Sequence, residues 1–254
     1  MKRILFVVNH DITIYNIRLE LLKQLLLEKY EVYISSPYGE RINDLIELGC
    51  KYNNIEFSRH GLNPINEIKL LNYYERIICN INPDIVLSYS IKPNIYAGIV
   101  CSKHCISYLA NITGLSKMLI KNNIFKYIII LLYKYSFRKV DKVFFQNVMN
   151  EKFFGKYNIA KNKHEILPGS GVNLSRNCCE EFPSANEPCR FLFVGRLMKD
   201  KGYTEFVRMA KYISSKHKNV EFHSLGFCEE EYKDQLQELH ADKYVKAHGA
   251  IPPA

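Results

Sequence analysis

The chain has 254 residues, 47% apolar and 24% charged, an ordinary globular composition that allows one large domain or two modest ones. Lysine and arginine outnumber aspartate and glutamate by 35 to 26, a net charge of +9, which favours an anionic partner such as a phosphorylated ligand, a membrane surface or nucleic acid. Cysteines at 50, 79, 101, 105, 178, 179, 189 and 228 lack both the paired spacing of a zinc site and the density of a secreted scaffold, so a reduced cytosol suits the chain and no metal is expected at Cys101-Ser102-Lys103-His104-Cys105.

In chain order, MKRILFVVNHD is basic and then apolar for only five residues before Asn9, too short for a signal-peptide core, and ILFVV (4–8) reads as a first strand. A helix over about 16–29 places Ile17, Leu21, Leu22, Leu25 and Leu26 on one face. Strand patterns recur at EVYISS (31–36), DIVLSY (84–89), CISYLA (105–110), KVFFQN (142–147) and HEILP (164–168), with helical patterns between them. Asn82-Pro83-Asp84 forms the entry loop to one of these strands. Apolar strands alternating with helices predict an α/β fold with a parallel sheet covered on both faces.

Regular patterning stops in CCEEFPSANEPC (178–189). We therefore expect a Rossmann-like domain over 1–176, a linker over 177–189 and a second Rossmann-like domain over 190–254. In the second, RFLFVG (190–195), a helix near 203–217, VEFHSLG (220–226), a helix near 229–241 and YVKAHGA (244–250) amount to an incomplete doubly wound half.

Such sheets bind ligands at the carboxyl ends of their strands. GRLMKDKG (195–202) lies at such an end. Gly195 lets the backbone turn close to a ligand, Arg196 offers a planar fork of donors, and Lys201 adds a mobile charge before the next helix, a set suited to a diphosphate and equally compatible with a solvated turn. No glycine follows the first strand within NHDITIYNIR and no G-x-x-x-x-G-K-[ST] occurs, which argues against a dinucleotide-binding dehydrogenase and a P-loop enzyme. In the first domain Asn9, His10, Tyr15, Asn16, Arg18, Lys92 and Asn94 all fall near carboxyl edges where a cleft opens. His10 is placed for acid–base work or is a plain loop histidine.

Residues 121–142, KNNIFKYIIILLYKYSFRKVDK, surround an apolar centre with basic side chains, and the run 127–133 is too short to span a bilayer. The segment reads either as a core helix with solvated lysines or as an interfacial helix on an anionic leaflet, rimmed by Lys134, Arg138 and Lys139. A nucleic-acid partner rests on charge alone, without a basic stripe interleaved with aromatics or any binding module, and is not expected.

YNIRLELLKQL (15–25), SRHGLNPINEIKLL (58–71), NPDIVLSYSIKPNIYAGI (82–99), ANITGLS (110–116), LPGSGVNL (167–174) and FVGRLMKDKGYTEF (193–206) occur in the order seen in bacterial glycosyltransferases of family 4. The chain resembles that family, of the two-Rossmann GT-B type, near the branch that builds capsule, O-antigen and lipid-linked glycans. The resemblance implies retaining transfer from a nucleotide-sugar, often UDP-linked, to a polyprenyl-linked glycan acceptor. It implies no metal cofactor and a site in the cytoplasm, peripheral on the inner face of the plasma membrane.

On this resemblance Arg196 and Lys201 hold the donor diphosphate and stabilise the leaving nucleotide beside Gly195. Gly169 and Gly171 match the loop before the second domain, and Thr113 and Gly114 the glycine loop near the reaction centre. Asn173 stands where the family commonly has aspartate. The family's later glutamate-rich motif has no counterpart, so a chain ending at Ala254 is expected to bind donor poorly and to turn over little or not at all. The alternative is a non-catalytic, membrane-associated domain that requires a partner chain.

Overall fold

The computed structural model describes residues 1–55, 64–115, 119, 123–179, 181–182, 184, 187–228, 232–238 and 241–250. Parts of the expected motifs at 58–63 and Ser116, and the expected helical positions 229–231 and 239–240, lie outside these. The chain forms two compact units, Met1–Asn177 and Cys178–Ala254.

The first unit runs β1 (Arg3–Val7), α1 (Asp11–Leu27), β2 (Glu31–Ser36), α2 (Ile42–Glu47), β3 (Lys51–Asn54), α3 (Pro64–Ile81), β4 (Ile85–Tyr89), α4 (Ile91–His104), β5 (Ser107–Ile112), α5 (Ile124–Ser136), β6 (Lys142–Phe145), α6 (Val148–Lys156) and β7 (His164–Ile166). Its seven strands pair in parallel in the order β3-β2-β1-β4-β5-β6-β7. The order reverses between β1 and β4, where Ile4 sits opposite Ile85 and Val7 opposite Ser88. At such a switch point the crossovers leave β1 and β4 to opposite faces, and their loops part to leave a crevice at the carboxyl edge.

Two apolar layers cover the sheet. Ile4, Phe6, Val8, Ile14, Leu22, Val32 and Ile34 pack against α1 and α2 on one face; Leu5, Val7, Val86, Tyr108, Tyr133, Phe145 and Phe154 pack against α3 to α6 on the other. Alternation of Leu5 and Val7 with Ile4 and Phe6 is the two-residue period of a strand buried on both sides. The strand entry at Asp84 is fixed as expected: its Oδ2 accepts the Arg3 N–H at 2.7 Å, and Asn82 takes a left-handed φ of 49°.

Two expectations are corrected. Helix α1 begins at Asp11, and its buried positions are Asp11, Ile14 and Leu22. Ile17 and Leu21 are exposed: α1 packs on the sheet along the face that carries Asp11, Ile14 and Leu22, and those two lie to one side of it. β3, KYNN, was not anticipated: its side chains are exposed or half-buried, so no apolar run marks it, and pairing with β2 alone makes it a strand.

The second unit holds β8 (Cys189–Val194), a 3₁₀ turn (Lys199–Lys201), α7 (Tyr203–Lys216), β9 (Val220–Leu225), α8 (Lys233–Glu238), a 3₁₀ turn (Ala241–Lys243) and β10 (Lys246–Ala247). The strands pair in parallel in the order β10-β9-β8. α7 covers one face through Tyr203, Val207 and Ala210 against Phe222, with Phe191 and Phe193 packed beside them.

Candidate functional site

At the carboxyl edge of the seven-stranded sheet, at the switch point, lies a cavity of about 110 Å³ lined by Val8, Thr13, Ile14, Ile17, Arg18, Tyr89, Thr113 and Gln146. Val8 follows β1, Tyr89 ends β4, Thr113 follows β5 and Gln146 follows β6, so four strand ends and α1 contribute one wall each. Arg18 is its cation. The guanidinium carbon stands 5.0 Å from the centre of the Tyr89 ring. Burial pushes the Tyr89 phenol above its usual range, and Arg18 beside it offsets part of the rise.

Arg18 Nε is buried and meets no hydrogen-bond acceptor among the described residues. A buried donor left unmet costs on the order of 1–3 kcal/mol, so an acceptor oxygen entering this cavity recovers that energy. Gln146 Nε2 donates to Ser170 Oγ at 2.8 Å and ties the wall to the loop that carries Gly169 (φ 87°) and Gly171 (φ 78°). Tyr89 and Gln146 were missed in the sequence. Their only signal was their place at strand ends.

His10 caps the N-terminus of α1, and its Nδ1 lies 2.5 Å from Asp11 Oδ1. Asp11 is buried, and its Oδ2 accepts the Arg41 backbone N–H at 2.8 Å. Burial opposes ionisation of this carboxyl, but the backbone N–H groups of Arg41 and Ile12 together with His10 hold it below the usual carboxylate range. The carboxylate therefore fixes the imidazole ring at the carboxyl end of β1.

The remaining expected residues separate into several places. Asn9 Oδ1 accepts from Ser90 Oγ at 2.9 Å, joining the ends of β1 and β4 where Ser90 holds a φ of 76° unusual for a residue with a side chain. Asn94 is buried: its Nδ2 donates to the Asn111 carbonyl at 2.9 Å, its Oδ1 accepts from Ser88 Oγ at 2.6 Å, and its own carbonyl accepts from Tyr108 Oη at 2.8 Å. Its amide is spent on holding β4, α4 and β5 together. Lys92 Nζ pairs with Glu67 Oε1 at 2.7 Å, and Tyr96 Oη bonds the other oxygen of that carboxylate. Asn16 is exposed on α1, outside the cavity lining. Thr113 lines the cavity; Gly114 is exposed, and among the described residues an added Cβ meets nothing within 4 Å.

The expected diphosphate loop is a separate cluster in the second unit. Gly195 (φ 149°) leaves β8 with its N–H on the Leu225 carbonyl at 2.9 Å, and Leu197 N–H reaches the Phe227 carbonyl at 3.0 Å, so 195–197 runs beside 225–228. The approach is close enough that a Cβ on Gly226 (φ 140°) falls 1.9 Å from the Gly195 carbonyl oxygen. Arg196 and Lys201 are both exposed, Lys201 at the end of the 3₁₀ turn one residue before the Gly202 cap of α7. At Cys101, where no metal was expected, burial pushes the thiol up to about 12, which disfavours the thiolate needed for ligation.

Residues 3–147, more than half of the chain, match the family described as glycosyl transferase 4-like. The chain belongs to that family. This glycosyl transferase 4-like chain is 32% identical over 180 residues to the N,N'-diacetylbacillosaminyl-diphospho-undecaprenol alpha-1,3-N-acetylgalactosaminyltransferase of Campylobacter jejuni, a stretch that is 68% of this chain and 48% of that protein. An uncharacterized glycosyltransferase of Methanocaldococcus jannaschii matches at 28% over 182 residues, 65% of this chain and 44% of that one. The chain thus spans about half the length of the curated relatives it matches. Among solved structures, the Anabaena HepE protein with UDP and glucose aligns over 99% of this chain and 70% of its own (TM-score 0.70, 13% identity). A Rickettsia africae glycosyltransferase aligns over 98% and 68% (TM-score 0.66, 21% identity). At these identities the likeness concerns the fold, which is the expected GT-B class of paired α/β units with parallel sheets.

Proposed function

We propose that the chain carries out retaining transfer of a sugar from a nucleotide-sugar donor, UDP-linked, to a polyprenyl-diphosphate-linked glycan during surface glycan assembly. The observation that carries the acceptor side is the switch-point cavity, where Arg18 offers an unmet buried donor beside Tyr89, Thr113 and Gln146. A sugar hydroxyl or carboxylate satisfies that donor, and Tyr89 offers the edge of an aromatic ring to the sugar. The Campylobacter relative's name specifies a diphospho-undecaprenol acceptor, which supports the substrate class.

On the donor side Arg196 and Lys201 take the diphosphate. In transfer the anomeric carbon exchanges its bond to a diphosphate oxygen for one to the acceptor oxygen, negative charge grows on the leaving nucleotide, and the acceptor hydroxyl's proton passes to the departing phosphate oxygen. The two cations stabilise that charge in the manner a divalent metal does elsewhere, so the reaction proceeds without metal. Gly195 lets the backbone approach the phosphates, and Gly169 and Gly171 give the preceding loop its left-handed turns. The acceptor's lipid tail fixes the place of reaction at the inner face of the plasma membrane, with the protein peripheral to it.

The test supplies labelled UDP-sugars and a short-chain polyprenyl-diphosphate sugar with and without EDTA, and follows label into the lipid. Transfer unaffected by EDTA, lost in Arg196→Ala, and weakened chiefly in acceptor KM in Arg18→Ala is expected. Label that never reaches the lipid from any donor, or transfer abolished by EDTA, overturns the reading.

A further inference from the structure

Helix α5 is apolar on two opposite sides, and the fold covers one of them. Ile130, Tyr133 and Ser136 face inward and are buried against the first unit's core, with Ile129 and Leu132 beside them. On the opposite side Ile124, Ile128, Leu131 and Tyr135, spaced four, three and four residues apart, form a single stripe 71%, 46%, 64% and 51% exposed, and Tyr127 is exposed next to it. A helix that is apolar all round is normally buried on every side. Four large apolar side chains in one row, with a fifth beside them, exceed the scattered singles that a soluble surface carries.

The electrostatics around the stripe are one-sided. Residues 121–140 contain no carboxylate. Lys134, Arg138 and Lys139 are exposed at its C-terminal end, with the Arg138 guanidinium carbon 4.2 Å from the centre of the Tyr135 ring. At the other end Lys126 Nζ lies 5.8 and 5.6 Å from the Phe153 and Tyr157 rings, and α6 adds exposed Lys152 and Lys156. Asp141, the first acid after the helix, is exposed and tied to β5, where it accepts from Ser107 Oγ at 2.8 Å and Tyr108 N–H at 2.7 Å.

We propose that the outer face of α5 docks on an anionic lipid bilayer, with the 124/128/131/135 stripe at the acyl boundary and Lys134, Arg138 and Lys139 among the headgroups. Tyrosines beside aliphatic residues and basic side chains that reach toward phosphates are the composition of an in-plane interfacial helix. At 13 residues the helix is about 20 Å long, short of a bilayer's apolar thickness, so it lies in the interface and does not cross. Two apolar faces divide the work: Ile130 and Tyr133 hold the helix to its domain, and Ile128 and Leu131 hold the domain to the lipid. The inference deepens the reading of a membrane-embedded acceptor but is tested without donor or acceptor, so either can fail alone.

The chain contains no tryptophan, so Leu131→Trp installs a unique fluorophore on the stripe. The protein is mixed at low salt with vesicles of phosphatidylcholine alone or with phosphatidylglycerol. Co-sedimentation with the anionic vesicles only, a blue shift of the tryptophan emission and its quenching by brominated acyl chains are expected. Lys134→Gln/Arg138→Gln/Lys139→Gln lowers partitioning about 100-fold, from the worth of a basic residue near an anionic leaflet. Ile128→Glu/Leu131→Glu abolishes binding, whereas Lys211→Glu/Lys218→Glu on the second unit leaves it unchanged. Absence of binding by the parent chain, or tryptophan emission that stays unshifted in Leu131→Trp, overturns the proposal. So does a blue shift that appears without vesicles and grows with protein concentration, which would make the occupant a second copy of the chain.

Discussion

Replacing Gly39 by alanine strikes the support of His10 without touching the cavity. A Cβ built on Gly39 falls 2.3 Å from both carboxylate oxygens of Asp11, about an ångström inside van der Waals contact. The side chain cannot swing aside freely, because Asp11 is buried, with one oxygen on the Arg41 N–H and the other on His10 Nδ1. Giving up one charge-assisted hydrogen bond costs about 1.5–3 kcal/mol, and residual overpacking adds a further ~1 kcal/mol or more, so a loss of about 3 kcal/mol is expected for the first unit. Urea unfolding followed by circular dichroism measures it, and its pH dependence separates the cause. Asp11 has a folded pKa below its unfolded value, so its contribution is complete above the unfolded carboxylate value of about 3.9 and fades as pH falls through the folded one. The stability gap between parent and variant therefore narrows on acidification below about pH 4. A Gly39→Ala protein within ~0.5 kcal/mol of the parent at neutral pH, or a gap independent of pH, refutes the reasoning.

Gly226→Ala meets backbone, the Gly195 carbonyl at 1.9 Å, and adds a φ of 140° that an alanine rarely adopts. It should cost more than about 3 kcal/mol and raise hydrogen exchange throughout the second unit while the first stays protected. Asn94→Ala removes two buried hydrogen bonds, to Ser88 Oγ and the Asn111 carbonyl, with Ser88 keeping Tyr108 Oη, and should destabilise by about 1–3 kcal/mol, whereas Arg18→Ala should leave thermal stability within about 1 kcal/mol and act on acceptor binding; paired melting curves and saturation kinetics check both. Cys50 and Cys101, raised by burial to about 11 and about 12, should resist iodoacetamide at pH 8 until urea unfolds the chain, while exposed Cys79, Cys178 and Cys179 react at once, as read by peptide mass spectrometry.

Different parts of the molecule were legible in the sequence to different degrees. A strand such as ILFVV announces itself because a parallel strand buried on both faces must be apolar. KYNN does not, since an edge strand is specified by its neighbour's backbone and not by its own side chains. The candidate site was half legible for a related reason. Carboxyl edges can be placed from strand ends, and Arg18 is found that way, whereas Thr113 comes from the family resemblance. Which edge residues point inward depends on how α1 is rotated against the sheet, and its apolar residues, spread over more than one face, do not announce that Ile14 is buried while Ile17 lines the cavity. Asn94 shows the limit most clearly: a polar residue one turn into a helix at a carboxyl edge reads as a ligand contact until the hydroxyls of Ser88 and Tyr108 are found closing around it.

The distinction between glycines set by their neighbours and glycines left open bears on where bound molecules come. Gly39 and Gly226 are each explained by a protein atom that occupies the space of a side chain. Gly114 differs: it has no positive φ, and among the described residues no atom lies within 4 Å of an added Cβ. It stands one residue from Thr113 on the cavity wall, so Gly114→Ala separates the two roles: on the proposed function it weakens acceptor binding, in saturation kinetics, without the loss of stability expected at Gly39 or Gly226.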